Sequence, residues 1–312
     1  LSCGCPGRLA INISQNDGEP NMTQAVKLGL IGDNIHSSSA PLLHKMAAAQ
    51  YGIDLSYDLI IPPKRGLDFN GALHFAVQAG LRGVNVTLPY KEQAFRRVNI
   101  ADPEVQQLGA LNTICFDTNN LNGFNTDYTG FVKSYRAARG DLPVGHVLLI
   151  GAGGVGRSVS FALAKLGATA LYIFDKDFDR AVMLANEVNQ LPTKVAVATE
   201  GIDTLAFDAI VNCSPAGMHG YGGLPLPETQ ISKKLSWAFD AVYQPVETPF
   251  QQLVTSRGVQ FISGFELFFH QGVDAFFIFT GLSVKDEESL RETLSKSIID
   301  KGKSTIDTSI SR

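Results

Sequence analysis

The 312-residue chain is sparing with three residue types, having four cysteines, four methionines and one tryptophan. Cys3, Cys5, Cys115 and Cys213 form no C-x-x-C pair and no His-paired spacing, which excludes a recognisable zinc motif. Cys115 and Cys213 sit within apolar runs and read as reduced core residues. A broad basic footprint is also missing, since the net charge is -4 and the pI near 5.9. Without it, the electrostatic attraction that dominates nucleic-acid binding is absent. No stretch approaches the roughly 18 consecutive apolar residues that span a bilayer, and the start shows no basic segment leading into an apolar one. The expected setting is therefore cytoplasmic, with a small-molecule partner and neither nucleic acid nor membrane. His36, His44 and His270 have no metal-ligand company, so no metal is expected. His36 and His44 read as loop and helix-surface groups.

What is present is ordinary globular material, 45% hydrophobic and 18% charged, enough for two packed domains. Residues 1–24 lack periodicity and read as a flexible tail. Strand-like and helix-like segments then alternate: strand from Val26 to Gly32, helix from Pro41 to Tyr51, strand from Leu55 to Pro62, helix from Leu67 to Ala79, strand from Gly83 to Leu88. That alternation predicts a helix-covered parallel sheet in a first α/β domain over 25–130. After a helix from Tyr128 to Arg139, a second series starts at His146 and continues with strands at Ala170, Lys194, Asp208, Trp237 and Val259. This predicts a doubly wound domain over 131–264. Two final helices, from Glu266 to Thr280 and from Lys285 to Ile299, have no strand to follow, so residues 265–300 should pack back across the cleft. The phenylalanines around 265–279 read as the core of a buried helix, and residues 301–312 as a polar, frayed tail.

The apolar strand His146 to Ile150 runs directly into Gly151-Ala152-Gly153-Gly154-Val155-Gly156 and then a helix. In such a turn the first glycine allows the tight bend, the second the approach of pyrophosphate and the third close helix packing, while the helix N-terminus attracts anions. The next strand ends in Asp175, about 20 residues on, where a ribose-binding carboxylate is expected. A carboxylate there accepts ribose hydroxyls and repels a 2′-phosphate, which favours NAD and leaves NADP second, with Lys176 and Arg180 near enough to soften the repulsion.

Ligands of open α/β sheets bind at the carboxyl ends of strands. Three polar segments fall there in the first domain: residues 35–41, residues 85–91, and Asn112-Thr113 with Asn125-Thr126-Asp127. Together they offer hydroxyls for a carboxylate, amides for ring hydroxyls, one lysine and one aspartate, a set suited to alcohol oxidation.

These residues also carry a resemblance. Asn85-Val86-Thr87-Leu88-Pro89-Tyr90-Lys91, Gly109 to Thr113, Gly123 to Asp127, Gly151 to Gly156, Val242-Tyr243-Gln244-Pro245 with Thr248-Pro249, and Gly264 with His270-Gln271 stand in the order seen in the shikimate/quinate dehydrogenases, and the chain resembles that family from about Lys27 to Gly281. The resemblance implies a substrate-binding domain followed by a Rossmann-type NAD(P) domain, in a monomer or homodimer. It also implies reversible hydride transfer between shikimate or quinate and the 3-dehydro acid. Lys91 and Asp127 would be the catalytic pair, Ser38, Thr87, Asn112, Tyr243 and Gln271 substrate ligands, and Gly264 a neighbour of the nicotinamide. Without it, Lys91 reads as an exposed helix-start lysine and Asp127 as a helix N-cap.

One departure matters. The family usually carries Ser-x-Ser or Ser-x-Thr before the proline, whereas this chain has Ser38-Ser39-Ala40-Pro41. Either Ser39 substitutes through a one-residue shift, or the pocket takes a different acid such as quinate or an aminated relative of shikimate. The competing class is a non-catalytic ligand-binding or regulatory homologue that keeps the fold.

Overall fold

The computed structural model describes residues 25–117, 120–201, 207–218 and 220–310. The tail expected over 1–24, with Cys3 and Cys5, lies outside the described residues. Elements follow in the order β1 (Val26–Ile31), α1 (Ala40–Ala49), β2 (Leu55–Ile60), α2 (Phe69–Gln78), β3 (Gly83–Val86), α3 (Lys91–Phe95), α4 (Pro103–Leu108), β4 (Thr113–Asp117), β5 (Asn120–Phe124) and α5 (Thr126–Arg139). The second series is β6 (His146–Ile150), α6 (Gly154–Lys165), β7 (Ala170–Phe174), α7 (Phe178–Val188), β8 (Ala196–Ala198), β9 (Ala209–Asn212), β10 (Trp237–Asp240), α8 (Pro249–Ser256), β11 (Gln260–Ser263), α9 (Gly264–Thr280) and α10 (Glu287–Ile310). With no proline to stop it, α10 continues as helix into the stretch that reads as a tail.

The first sheet has the order β2-β1-β3-β4-β5 and is mixed. Its first three strands are parallel, as the alternation predicts, but β4 runs antiparallel to β3 and β5 antiparallel to β4. A hairpin needs only a short polar turn, so it leaves no helix-length gap in the sequence to announce it. The second sheet, β11-β10-β9-β6-β7-β8, is parallel throughout. Its order reverses at β6, with β7 on one side and β9 on the other. The crevice of a doubly wound sheet opens at such a switch point. β9 and β10 are buried along their whole length, which explains their unbroken apolar reading.

Several helix starts carry side-chain caps: Asp68 accepts from the Gly71 amide, Asn125 from Tyr128 and Thr248 from Gln251. Each such cap contributes about 1 kcal/mol. After β11 the chain returns to the first sheet through α9, which buries Phe265, Phe268, Phe269, Phe276 and Phe279 against α1, β1 and β2. The crossing with α5 is close, because a Cβ at Gly130 would lie 2.8 Å from the Gln271 backbone nitrogen. Among the described residues no helix is long and apolar enough to cross a membrane.

His44 corrects the sequence reading. It is 1% exposed rather than on a helix surface, stacked on Tyr57 at 5.1 Å with Phe276 and Phe279 beside it. α1 is covered by β2, α9 and α10, so the face that carries His44, with Ala40, Leu43, Ala47 and Ala48, is turned away from water. Burial pushes the imidazole pKa down to about 4 against a hydrogen bond with Asn85 that raises it.

His44 therefore titrates at a lower pH in the folded chain than in the unfolded one, whose value is 6.5. The unfolded state takes up the proton first, so this residue's contribution is intact above about pH 6.5 and is lost as pH falls toward 4. Asp240, fully buried and pushed up to about 6 by that burial, acts with the opposite sign: its stabilising protonation is lost as pH rises through that value. The wild-type curve mixes both groups, and a His44→Phe variant separates them. Between about pH 7 and 5 its denaturation free energy should fall by about 2 kcal/mol less than wild type's. Parallel curves in urea titrations would show that His44 does not carry the effect.

Candidate active site

Three strand ends of the first sheet deliver polar side chains to the cleft facing the glycine turn. The segment after β3 leads into α3, whose first residue is Lys91. β5 leads into α5, whose N-cap is Asn125, leaving Asp127 in the first turn. Asn125 accepts from Tyr128 N (3.0 Å) and donates to Ala110 O (2.9 Å) and Ser158 Oγ (3.0 Å), tying the start of α5 to α6. Asp127, relieved of capping, accepts from Lys91 Nζ at 2.5 Å. Lys91 and Asp127 are 8% and 6% exposed. Removing two charges from water is costly, and such a pair makes a weak case as a stabilising device. A carboxylate in a helix's first turn is at least favourably placed in the field of its backbone amides.

Beside this pair lies an amide and hydroxyl cluster. Asn112 donates from Nδ2 to Thr126 Oγ1 (2.9 Å) and Gln271 Oε1 (3.3 Å), and its Oδ1 accepts from Thr126 N at 2.7 Å. Gln271, on α9, also donates from Nε2 to Phe268 O at 2.9 Å. Behind them Asn85 donates to Thr113 Oγ1 (3.0 Å) and accepts from the Tyr57 hydroxyl (2.8 Å). Thr87 is half-buried just past β3, its methyl against Gly32.

The serine loop follows β1. Ser38 Oγ accepts from Ala40 N at 3.2 Å. Burial pushes the Tyr243 phenol up to about 12. The Tyr243 ring stacks on Phe268 at 4.6 Å, nearly parallel at 7°. Ser39 is fully buried, and its Oγ accepts from Gln244 Nε2 at 3.2 Å. Gln244 thus engages an acceptor lone pair of Ser39, which leaves the hydroxyl proton for another acceptor.

Across the cleft, Gly151 has φ +100°, a left-handed conformation that favours glycine, and a Cβ there would meet Cys213 C and Ser214 N at 2.8 Å. A Cβ at Gly156 would lie 1.8 Å from the Gly151 carbonyl oxygen. One at Gly154 would lie 3.0 Å from Lys91 Cδ, so the lysine stem rests on the glycine turn. α6 starts at Gly153 with no side-chain cap, leaving its first amides for an anion. The turn's other members, Ala152 and Val155, are buried and half-buried, Val155 against the core below. Asp175 accepts from Ala152 N (2.6 Å) and Asp177 N (3.0 Å), which anchors its carboxylate beside the turn. Arg180 flanks the same place, with Nη2 3.5 Å from Ala152 O. Gly264 begins α9 against the 240–241 backbone, where a Cβ would meet Ala241 O at 2.5 Å. These residues fit a dinucleotide, with a glycine cradle, free amides for phosphate and a carboxylate at the end of β7.

Sequence reasoning passed over a polar cluster beneath this cleft. Asp240 accepts from Thr248 Oγ1 (2.7 Å), Asn212 Nδ2 (2.9 Å) and Val242 N (3.0 Å). The available signal was that two wholly buried apolar strands, β9 and β10, each end in a polar residue.

Comparison with known proteins agrees with this arrangement. Residues 30–114 match the family model for the shikimate dehydrogenase substrate binding domain. A quinate/shikimate dehydrogenase (NAD(+)) of Corynebacterium glutamicum strain R is 33% identical over 281 residues, covering 87% of this chain and 99% of that protein. A shikimate dehydrogenase (NADP(+)) of Streptomyces avermitilis is 33% identical over 279 residues, covering 86% and 94%. Among solved structures, quinate dehydrogenase from Corynebacterium glutamicum in complex with NAD superimposes with a TM-score of 0.80 at 32% identity, over 86% of this chain and 98% of that one. Shikimate 5-dehydrogenase from Thermus thermophilus, in complex with NADP(H) and shikimate, gives 0.76 at 30% identity over 88% and 99%. With similarity running through both sheets and nearly the full length of these relatives, the chain belongs to the shikimate/quinate dehydrogenase family.

Proposed function

We propose that this protein interconverts shikimate or quinate and the corresponding 3-dehydro acid, with Lys91 and Asp127 as the catalytic pair and NAD as the preferred dinucleotide. The observation that carries the reading is the buried Lys91–Asp127 contact of 2.5 Å, formed where the lysine stem touches the glycine turn at Gly154. A nicotinamide dinucleotide bound there supplies or accepts the hydride. When the 3-dehydro acid is reduced, its carbonyl oxygen needs a proton, and Lys91 Nζ is the donor. In the oxidising direction Nζ takes that proton from the hydroxyl. Asp127 holds Nζ in place by accepting one of its hydrogen bonds. Asn112, Thr87 and Gln271 position ring hydroxyls, and Ser38 and Tyr243 the carboxylate.

The NAD preference is supported by the anchored Asp175 carboxylate and by the C. glutamicum relatives named for, or bound to, NAD. NADP is the second reading, because Arg180 sits beside the same turn and other relatives are named for NADP(+).

Two measurements test these assignments. Purified protein should reduce either NAD or NADP with shikimate or quinate, faster with NAD, as followed by nicotinamide absorbance. Lys91→Met should lower kcat by about 10² to 10⁴, with dinucleotide binding retained. A variant of near wild-type rate would remove Lys91 from proton transfer. Separately, Asp175→Ala should narrow the ratio of kcat/KM for NAD over NADP by about tenfold, since a hydrogen bond to a charged group contributes about 1.5–3 kcal/mol. An unchanged ratio would take Asp175 out of cofactor selection.

A further inference from the structure

Two adjacent serines in one loop have been given different partners. Ser38 Oγ is engaged by Ala40 N (3.2 Å). Ser39 stands at the N-cap position of α1 yet makes no capping bond. Its side chain has no exposed surface, so its hydroxyl must be satisfied within the protein, and the partner is Gln244 Nε2 at 3.2 Å. The same amide approaches Ser37 O at 3.5 Å.

Ser39 follows β1 of the mixed sheet, whereas Gln244 follows β10 of the parallel one, so this hydrogen bond joins the two halves of the molecule. The segment bearing Gln244 is itself tightly held. Asp240 accepts from Val242 N on one side of it and from Thr248 Oγ1 on the other. Tyr243, next to Gln244, is pinned by its stack on Phe268. A rigid segment therefore reaches across and grips a loop in which Ala40 has left only part of the usual hydroxyl set.

We propose that Gln244 and Ser39 form a positioning latch between the two halves, which holds the serine loop so that Ser38 is correctly placed for the substrate's carboxylate. The proposal rests on the reading that this loop receives the carboxylate. With one hydroxyl fewer to bind it, affinity depends more on how well the remaining one is held in advance. Gln244 touches no reacting atom in this scheme and acts through the loop.

The test uses the full chain with Gln244→Ala, Ser39→Ala and the double variant, assayed with the better of shikimate and quinate and with its methyl ester, which lacks the charge. The KM for the acid should rise about fivefold to twentyfold, the value of one or so hydrogen bonds. kcat, the KM for dinucleotide and the KM for the ester should stay close to wild type. The double variant should be no worse than either single one, because both remove the same contact. Backbone amides of residues 37–40 should exchange hydrogen faster in each variant. The latch is overturned if acid and ester suffer alike, if the single effects add, or if exchange in that loop is unchanged. Exchange needs no turnover, so a wild-type protein silent toward both acids would fell the substrate reading while leaving the latch to stand or fall on exchange alone.

Discussion

The site depends on one close crossing, that of α9 over α5. The two sheets are separate layers joined by few covalent connections, and the chain leaves the second at β11. Had α9 continued the winding of that sheet, the polar ends of β3 and β5 would face nothing in particular. It turns back instead, buries five phenylalanines against the first sheet, and passes so near α5 at Gly130 that there is no room for a side chain. Overpacking at such a place typically costs about 1–3 kcal/mol, and more when backbone must move. The closeness of this contact sets Gln271 beside Asn112 and Thr126, and Asn125 adds a second tie from α5 to α6.

Within that frame the Lys91–Asp127 pair runs against the usual tendency of folding. Two charged side chains of under 10% exposure carry a desolvation cost that a pair of apolar residues would avoid. The surroundings offset part of this cost. Asp127 sits in the first turn of α5, among amides that favour negative charge, and the stem of Lys91 is covered by the glycine turn. The proposed role in proton transfer would account for a pair that the fold tolerates at this cost. Glycine at position 154 has a double part, since it keeps the turn open to a dinucleotide and lets the lysine lie against it.

How much of this was legible depended on whether the information was local. β6, the glycine turn and α6 could be read directly, because an apolar strand, the glycines and a helical period follow one another without interruption. That Lys91 and Asp127 would meet was legible only through the order of motifs, since each taken alone reads as an ordinary residue at a helix start. His44 was misread because its burial depends on α9 and α10, more than 200 residues away in the chain. The β4–β5 hairpin escaped because β5 is Asn-Leu-Asn-Gly-Phe, with two asparagines and a glycine among five residues and so little of a strand's apolar pattern. The contact between Ser39 and Gln244 spans 205 residues, and no periodicity or spacing in the chain encodes it. The Asp240 cluster lay between these cases, since a polar residue closing an all-apolar strand is a visible anomaly whose partners are not.

Asp175 links the end of β7 to the shape of the glycine turn. A carboxylate at the end of β7 is normally discussed for what it offers a ribose, but here one oxygen already accepts from Ala152 N at 2.6 Å and the other from Asp177 N at 3.0 Å. It therefore ties the end of β7 to the middle of the glycine turn. Ionised oxygens have lone pairs to spare, so holding the turn and receiving a hydroxyl are compatible. A phosphate in the same place would bring like charge against an oxygen that cannot withdraw without releasing the turn. Arg180 can soften that repulsion from the outer side but cannot replace the anchor, since it reaches the turn only through the Ala152 carbonyl, at 3.5 Å. On the NAD reading proposed above, discrimination by this residue would come from its rigidity as much as from its charge.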